Sequence, residues 1–309
     1  MKILALDSSG LVASVAVMDD DVLVAEFTIQ YKKTHSQTLV PMMDEIKKMI
    51  DLDLASLDAV AVAAGPGSFT GLRIGAATAK GLGLALDIPL IEVPTLEGLA
   101  YNLYGVGGCI CPIMDARRGQ VYTGIYEFVK EEEKKGMQPG IESPEDVREE
   151  EQKEGLWPDG YAMRTVQEQA AFAIEEIVGI LNDLGREVIF LGDGVPVFKD
   201  RLPELMETAY SFAPAHMNRQ RAAAIAALAG IYYREGKMVS AGEHAPIYLR
   251  MSQAERERKE KETIFTDSIQ KIARISEELR ESPSIDSMRG LEGAAAAAYY
   301  AVFSAMLVN

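Results

Sequence analysis

The run Ala61–Gly75, AVAAGPGSFTGLRIG, constrains the fold more than any other part of the chain. An apolar strand-like segment breaks at Gly65-Pro66-Gly67, and Thr70-Gly71-Leu72-Arg73 then opens a helix rich in small residues. Glycines at a strand-to-helix turn let the backbone approach another group closely. Such a turn can cradle an anion at the helix N-terminus or pack against a second backbone. No Gly-Lys-Ser/Thr follows, so it is not a Walker A loop, and no GxGxxG is present. The helix goes on through Gly75, Ala76, Ala77, Ala79, Gly81, Gly83 and Ala85. Each interior glycine costs up to about 1 kcal/mol of helix propensity. An anion site at the first turn does not require that cost along the whole helix, so the spacing favours close helix–helix packing.

Around this turn the periodicity predicts strands at Ile3–Asp7, Leu11–Met18 and Val22–Tyr31, joined by turns at Asp7-Ser8-Ser9-Gly10 and Asp19-Asp20-Asp21. A helix over Gln37–Ile50, capped by Thr34, follows, with Leu39, Met42, Met43, Ile46 and Ile50 as its apolar stripe. Strands at Leu57–Ala63 and Pro89–Val93 alternate with helices at Ile74–Leu86 and Leu96–Leu103. The pattern then restarts with a hairpin, Cys109–Asp115 and Gln120–Phe128, followed by a charged stretch to about Glu154 that reads as loop. Helices are expected at Val166–Leu184 and Asn218–Glu235, a strand at Val188–Leu191, and a glycine turn at Gly192-Asp193-Gly194. Two similar α/β lobes with mixed sheets result, a plan that suggests duplication.

Composition narrows the function. A net charge of −16 over 309 residues argues against an autonomous nucleic-acid binder, whose phosphate contacts need clustered Lys and Arg. Cys109 and Cys111 are the only cysteines, too few for a disulfide framework. Lys2–Leu6 is too short for a leader core, and Ala294–Val308 falls short of a membrane span, so the cytoplasm is the expected compartment. His35, His216 and His244 stand far apart, with no pair at i, i+4, so no metal site is expected. No Ser-His-Asp or Cys-His arrangement stands out either.

Five pieces occur in order: Leu4-Ala5-Leu6-Asp7-Ser8, His35-Ser36, Gly65-Pro66-Gly67-Ser68-Phe69-Thr70-Gly71-Leu72-Arg73-Ile74-Gly75, Asp115-Ala116-Arg117-Arg118-Gly119-Gln120-Val121-Tyr122, and Pro246-Ile247-Tyr248-Leu249-Arg250. Together they resemble the TsaB (YeaZ) family, which serves threonylcarbamoyladenosine synthesis beside the tRNA anticodon. The resemblance covers residues 1 to about 256. It implies a two-lobed α/β fold of the actin-like ATPase and sugar-kinase class with mixed sheets. It also implies a scaffold role without turnover of its own. The expected partners are a TsaD-like paralogue that carries the metal and the transferase chemistry, and a TsaE-like ATPase. A homodimer through the same surface is an option, tRNA is met only through the complex, and ATP or ADP can sit at the complex interface.

On that resemblance the two first-lobe helices form the partner face. The candidate interface residues are His35, Leu39, Met43, Leu72, Ile74, Thr78, Gly81 and Leu82. Asp7, Ser8, Gly67, Ser68, Gly192 and Gly194 are the candidates for nucleotide or anion contact; taken alone, Asp7–Gly10 is better explained as a hairpin turn with an Asx-type hydrogen bond, and Gly192–Gly194 also reads as a tight strand exit. The expected organisation is a first lobe over 1–106, a second over 107–215, a return helix and strand over 216–256, and a helical extension over 257–309.

That extension departs from the family. Glu262–Arg280 has an apolar side at Phe265, Ile269, Ile272 and Leu279. The following Ser284–Leu307 resembles the helical segment of a CRISPR-associated adaptation nuclease, in which Glu292 of Arg289-Gly290-Leu291-Glu292-Gly293 would match a metal-binding glutamate. No histidine follows His244, so the set of ligands that nuclease needs is incomplete. Besides the scaffold, two other readings stay open: a nucleotide-dependent ATPase or kinase of the actin-like fold, and a nuclease resting on the tail alone.

Overall fold

The computed structural model describes residues 1–31, 34–130 and 160–250, together with the helical positions 263, 265–267, 269–271, 274, 290, 292 and 293. Residues 1–249 form one compact unit and residues 250–309 a second.

The first unit is built on two five-stranded sheets. The first sheet holds β1 (Lys2–Asp7), β2 (Ala13–Asp19), β3 (Val22–Ile29), β4 (Ala59–Gly65) and β5 (Leu90–Pro94), in the order β3-β2-β1-β4-β5. Its first three strands are an antiparallel meander, and β4 and β5 add in parallel. The second holds β6 (Cys109–Arg117), β7 (Gln120–Lys130), β8 (Tyr161–Ala173), β9 (Val188–Leu191) and β10 (Tyr210–Phe212), in the order β10-β9-β6-β7-β8. Taken from its opposite edge, this is the same plan: an antiparallel meander, a crossover, then two parallel strands. The repeated order makes the molecule a duplicated α/β structure with two mixed sheets, as the class expectation requires.

Helices α1 (His35–Met49) and α2 (Phe69–Leu86) cover one face of the first sheet, burying Leu39, Met42 and Ile46 against Val15, Val17, Val60 and Val62. On the opposite face, α7 (Ala222–Arg234) sets Ile225, Leu228 and Ile231 against Ile3, Ala5, Ala61 and Ile91. Its alanine-rich sequence lets the helix lie close to the small side chains of β1 and β4. Helix α3 (Thr95–Tyr101) joins a cluster with Ile110, Met114 and Tyr126 of the second sheet. Helix α4 (Ile174–Leu184) buries Ile174, Ile177, Val178 and Leu181 against that sheet, and the short helices α5 (Val195–Phe198) and α6 (Leu202–Leu205) precede β10.

Two expectations change. Residues 166–173 are strand, not helix: β8 pairs with β7 from Lys130↔Tyr161 to Gln120↔Ala173, and the helix begins only at Ile174. The segment is rich in Gln, Glu and Ala, good helix formers, and ladder pairing overrides that local preference. The return helix starts at Ala222 rather than Asn218, because residues 217–221 bridge the two sheets instead. The charged stretch expected as loop over 131–154 lies outside the described residues, as do most of the tail positions. Among the described tail residues, Phe265 and Ile269 are helical and exposed.

Candidate functional site: a two-helix face and a filled cleft

Helix α1 lies against α2 on the first sheet. Their inner sides are core: Leu39 and Leu72 are only 1% and 2% exposed. Met43, Ile74 and Leu82 are half-buried against the same cluster. Thr78 turns its hydroxyl back to donate to the Ile74 carbonyl at 2.8 Å. His35 opens α1 and donates from Nε2 to the Gly10 carbonyl at 2.9 Å. Of the predicted interface set, only Gly81 stands fully outward, with open space where a side chain would be. The outer stripe of α2 is Thr70, Arg73, Ala77, Gly81, Leu84 and Ala85, with Leu84 70% exposed. On α1 the outward residues include Val40, Pro41 and Met49. Val40 and Leu84 lie outside the predicted set because the apolar stripe that the sequence reading followed is the one that faces the sheet.

The glycine turn packs on a hairpin of the same chain rather than on a helix. A Cβ at Gly67 would overlap the Ser9 carbonyl, one at Gly71 the Ser8 carbonyl, and one at Gly75 the Ser8 hydroxyl. Ser68 N–H donates to the Ser9 carbonyl at 2.7 Å, and the Ser8 hydroxyl donates to the Gly71 carbonyl at 2.9 Å. Ser68 also caps α2, accepting from Gly71 N–H at 3.3 Å. The hairpin is tied internally, because Asp7 Oδ1 accepts from both the amide (2.9 Å) and the hydroxyl (2.6 Å) of Ser9. Burial pushes the Asp7 carboxyl up to about 6, against the lowering effect of the Ser9 bonds and of His35. On the far side, the Ile247 carbonyl fills the notch at Gly65, Ile247 N–H donates to Ala64 at 2.7 Å, and Tyr248 stacks on Phe69 at 4.9 Å. The Arg73 guanidinium lies over the same Phe69 ring, 4.3 Å from its centre.

In the second sheet the corresponding turn, Gly192-Asp193-Gly194, is engaged in the same way. Gly194 N–H donates to the Ile113 carbonyl at 2.9 Å, and Gly192 N–H to Asn218 Oδ1 at 2.8 Å. Burial raises the Asp193 carboxyl, whose Oδ1 accepts from Asp115 N–H at 3.2 Å. Residues 217–221 then tie the two sheets together. Arg219 donates to the Gly192 carbonyl at 2.8 Å, and Asn102 donates to the Met217 and Arg219 carbonyls at 3.1 and 2.8 Å. Gln220, fully buried, lies where a side chain on Gly10 would be, and Arg221 pairs with Glu26 of β3. The polar triplet Asn218-Arg219-Gln220 at the mouth of an apolar helix was the available signal for this bridge, and the sequence reading absorbed it into the helix.

The same hydrogen bonds occupy part of the candidate nucleotide turns. The amides of Ser9, Ser68, Gly71, Gly192 and Gly194 already donate to acceptors of the chain itself, so a phosphate at these turns would displace intramolecular bonds. Among the described residues no group of three or more His, Cys, Asp or Glu side chains could hold a metal ion. Cys109 and Cys111 are buried in β6, and burial raises both thiols, Cys111 to about 12.

The chain is 32% identical over 255 residues to the tRNA threonylcarbamoyladenosine biosynthesis protein TsaB of Bacillus subtilis, covering 82% of this chain and 96% of that one. The chain belongs to the TsaB family. The TsaB of Escherichia coli is 36% identical over 129 residues, 41% of this chain and 55% of its own length. A solved structure of YeaZ from Pseudomonas aeruginosa superposes with a TM-score of 0.62 at 25% identity, covering 80% of this chain and 99% of that one. The family profile of TsaD, tRNA N6-adenosine threonylcarbamoyltransferase, matches residues 23–258, the α/β body this TsaB-family chain shares with it. A second family profile, CRISPR associated protein Cas1, matches residues 242–309.

Proposed function

We propose that this chain acts in tRNA threonylcarbamoyladenosine biosynthesis as a non-catalytic scaffold that docks and activates a TsaD-like transferase through the outer face of α1 and α2. Membership of the TsaB family supports the pathway. The observation that carries the docking surface is the outer stripe of α2, where Ala77, Gly81 and Ala85 leave room for another helix beside the exposed Leu84. Small side chains on a helix let a second helix approach closely, and exposed apolar residues rimmed by polar ones mark protein contacts. The filled turns Asp7–Gly10 and Gly192–Gly194 support a role without nucleotide turnover at this cleft. Chemistry on the tRNA then belongs to the partner, a TsaE-like ATPase joins the pair, and tRNA reaches this acidic chain only through the assembly. The cytoplasm is the compartment where these partners and substrates meet; among the described residues no helix is long and apolar enough to cross a membrane.

Co-purification of the full chain with the TsaD-like protein of its own source tests the reading. Gly81→Arg and Ala77→Arg, both on the outer stripe, are expected to weaken the complex at least about tenfold while leaving the fold intact. An undiminished complex in both variants overturns the docking surface. Calorimetric titration with ATP-Mg tests the competing ATPase reading, and tight binding by the isolated chain would favour that reading.

A further inference from the structure

Helix α2 carries just two charged side chains, Arg73 and Lys80, and no acid, although Asp and Glu outnumber Lys and Arg by 47 to 31 in the chain. The two cations are used differently. Lys80 is engaged inside the chain, where its Nζ donates to the Gly242 and His244 carbonyls at 3.4 and 2.8 Å. Arg73 is exposed on the outer stripe, and among the described residues no carboxylate pairs with it. Its guanidinium lies instead over the ring of Phe69, one helical turn earlier, and Tyr248 packs against that ring.

Tyr248 belongs to a strap that the chain fastens along the first sheet. Leu90 and Val239 exchange backbone hydrogen bonds at 2.9 Å in both directions, sealing β5 there. Ala241 is buried beside Gly83 of α2, the His244 ring meets Glu92, and Ile247 N–H donates to the Ala64 carbonyl at 2.7 Å. Held at these points, the strap sets the Tyr248 ring against Phe69. Stacking occupies the face of a guanidinium and leaves the N–H donors on its rim for a planar carboxylate. A side chain fixed before the encounter also loses less freedom on binding. We propose that Arg73 is the charged anchor of the docking face, pairing with a carboxylate of the TsaD-like partner, and that the strap keeps it aimed through Tyr248 and Phe69. The inference rests on the docking surface proposed above and adds the chemistry of the surface that meets it. Arg73, Ala77 and Gly81 stand four residues apart on one side of α2, so the partner's acid lies one turn from the small-residue seam.

Titration calorimetry of the full chain with the TsaD-like protein of its own source, without tRNA and at several salt concentrations, tests the anchor. Arg73→Ala is expected to raise the dissociation constant about tenfold and to flatten its salt dependence, with the thermal unfolding midpoint of the chain unchanged. Arg73→Glu should raise the constant further, about a hundredfold. Tyr248→Ala should weaken the complex about threefold, and Tyr248→Phe should restore it, because the ring supports Phe69. An unchanged constant and salt slope in Arg73→Ala, beside a complex that Gly81→Arg weakens, overturns the anchor and leaves the docking surface standing. A complex undiminished by Gly81→Arg and Ala77→Arg removes both. Full affinity in Tyr248→Ala, or no recovery in Tyr248→Phe, overturns the strap's part. A loss confined to tRNA binding by the preformed pair assigns Arg73 to a phosphate and overturns the carboxylate.

Discussion

Gly67 and Gly71 line one side of the loop–helix junction because the Ser8–Ser9 backbone occupies the space their side chains would take, and at Gly75 the Ser8 hydroxyl does so. Gly71→Ala should therefore cost about 2–4 kcal/mol in urea unfolding, since the obstruction is backbone that cannot swing aside. Gly81→Ala, at an open position, should instead stabilise by about 0.5–1 kcal/mol. Asp7 adds a pH dependence. Its folded carboxyl titrates at about 6 against an ordinary aspartate value of 3.8, so the folded state binds the extra proton across that window. Stability then falls as pH rises from about 4 to about 6, by up to about 3 kcal/mol, and levels off above. Asp7→Asn should flatten that slope in chemical denaturation at a series of pH values, while still accepting from Ser9. The hairpin tip between β6 and β7 holds Arg117 and Arg118 at φ of 66° and 58°. Arg118→Gly should relieve this left-handed pair and raise stability by about 1 kcal/mol in thermal unfolding. At this scale the sequence told which glycines matter but not what they touch, because the obstructing hairpin is some sixty residues away in the chain.

Elements whose local pattern agrees with their packing were legible: β1, β9 and the β6–β7 hairpin fall where periodicity puts them. The failures share one cause. Residues 166–173 carry helix-forming side chains but gain a full ladder by lying on β7, and nothing within the segment announces that partner. The bridge at residues 217–221 looked like the first turn of a helix, yet its backbone is held by Asn102 and its side chains reach both sheets. Asn102→Ala leaves the half-buried Met217 and Arg219 carbonyls without that donor. A loss of about 1–3 kcal/mol in denaturant titration is expected, with faster amide exchange at residues 217–221.

For the whole molecule, the duplicated strand order was visible as a restart of the pattern near residue 107, and the structure repeats it strand for strand. What the sequence could not convey is how unequal the two halves have become. The crossover between β4 and β5 is the eighteen-residue helix α2, whereas the one between β9 and β10 is two helices of four residues each. Only the first half therefore carries a long paired-helix surface, which is why docking is assigned to it alone. Since residues 1–249 form a compact unit of their own, a chain ending at Ser252 should keep the midpoint of thermal unfolding within about 2 °C of the full chain.

The bond between Leu90 and Val239 reaches beyond the strand it seals. By spending a donor and an acceptor of its outermost strand on residue 239 of the same chain, the protein blunts that margin of the sheet, so a foreign extended segment finds no vacant partner at Leu90.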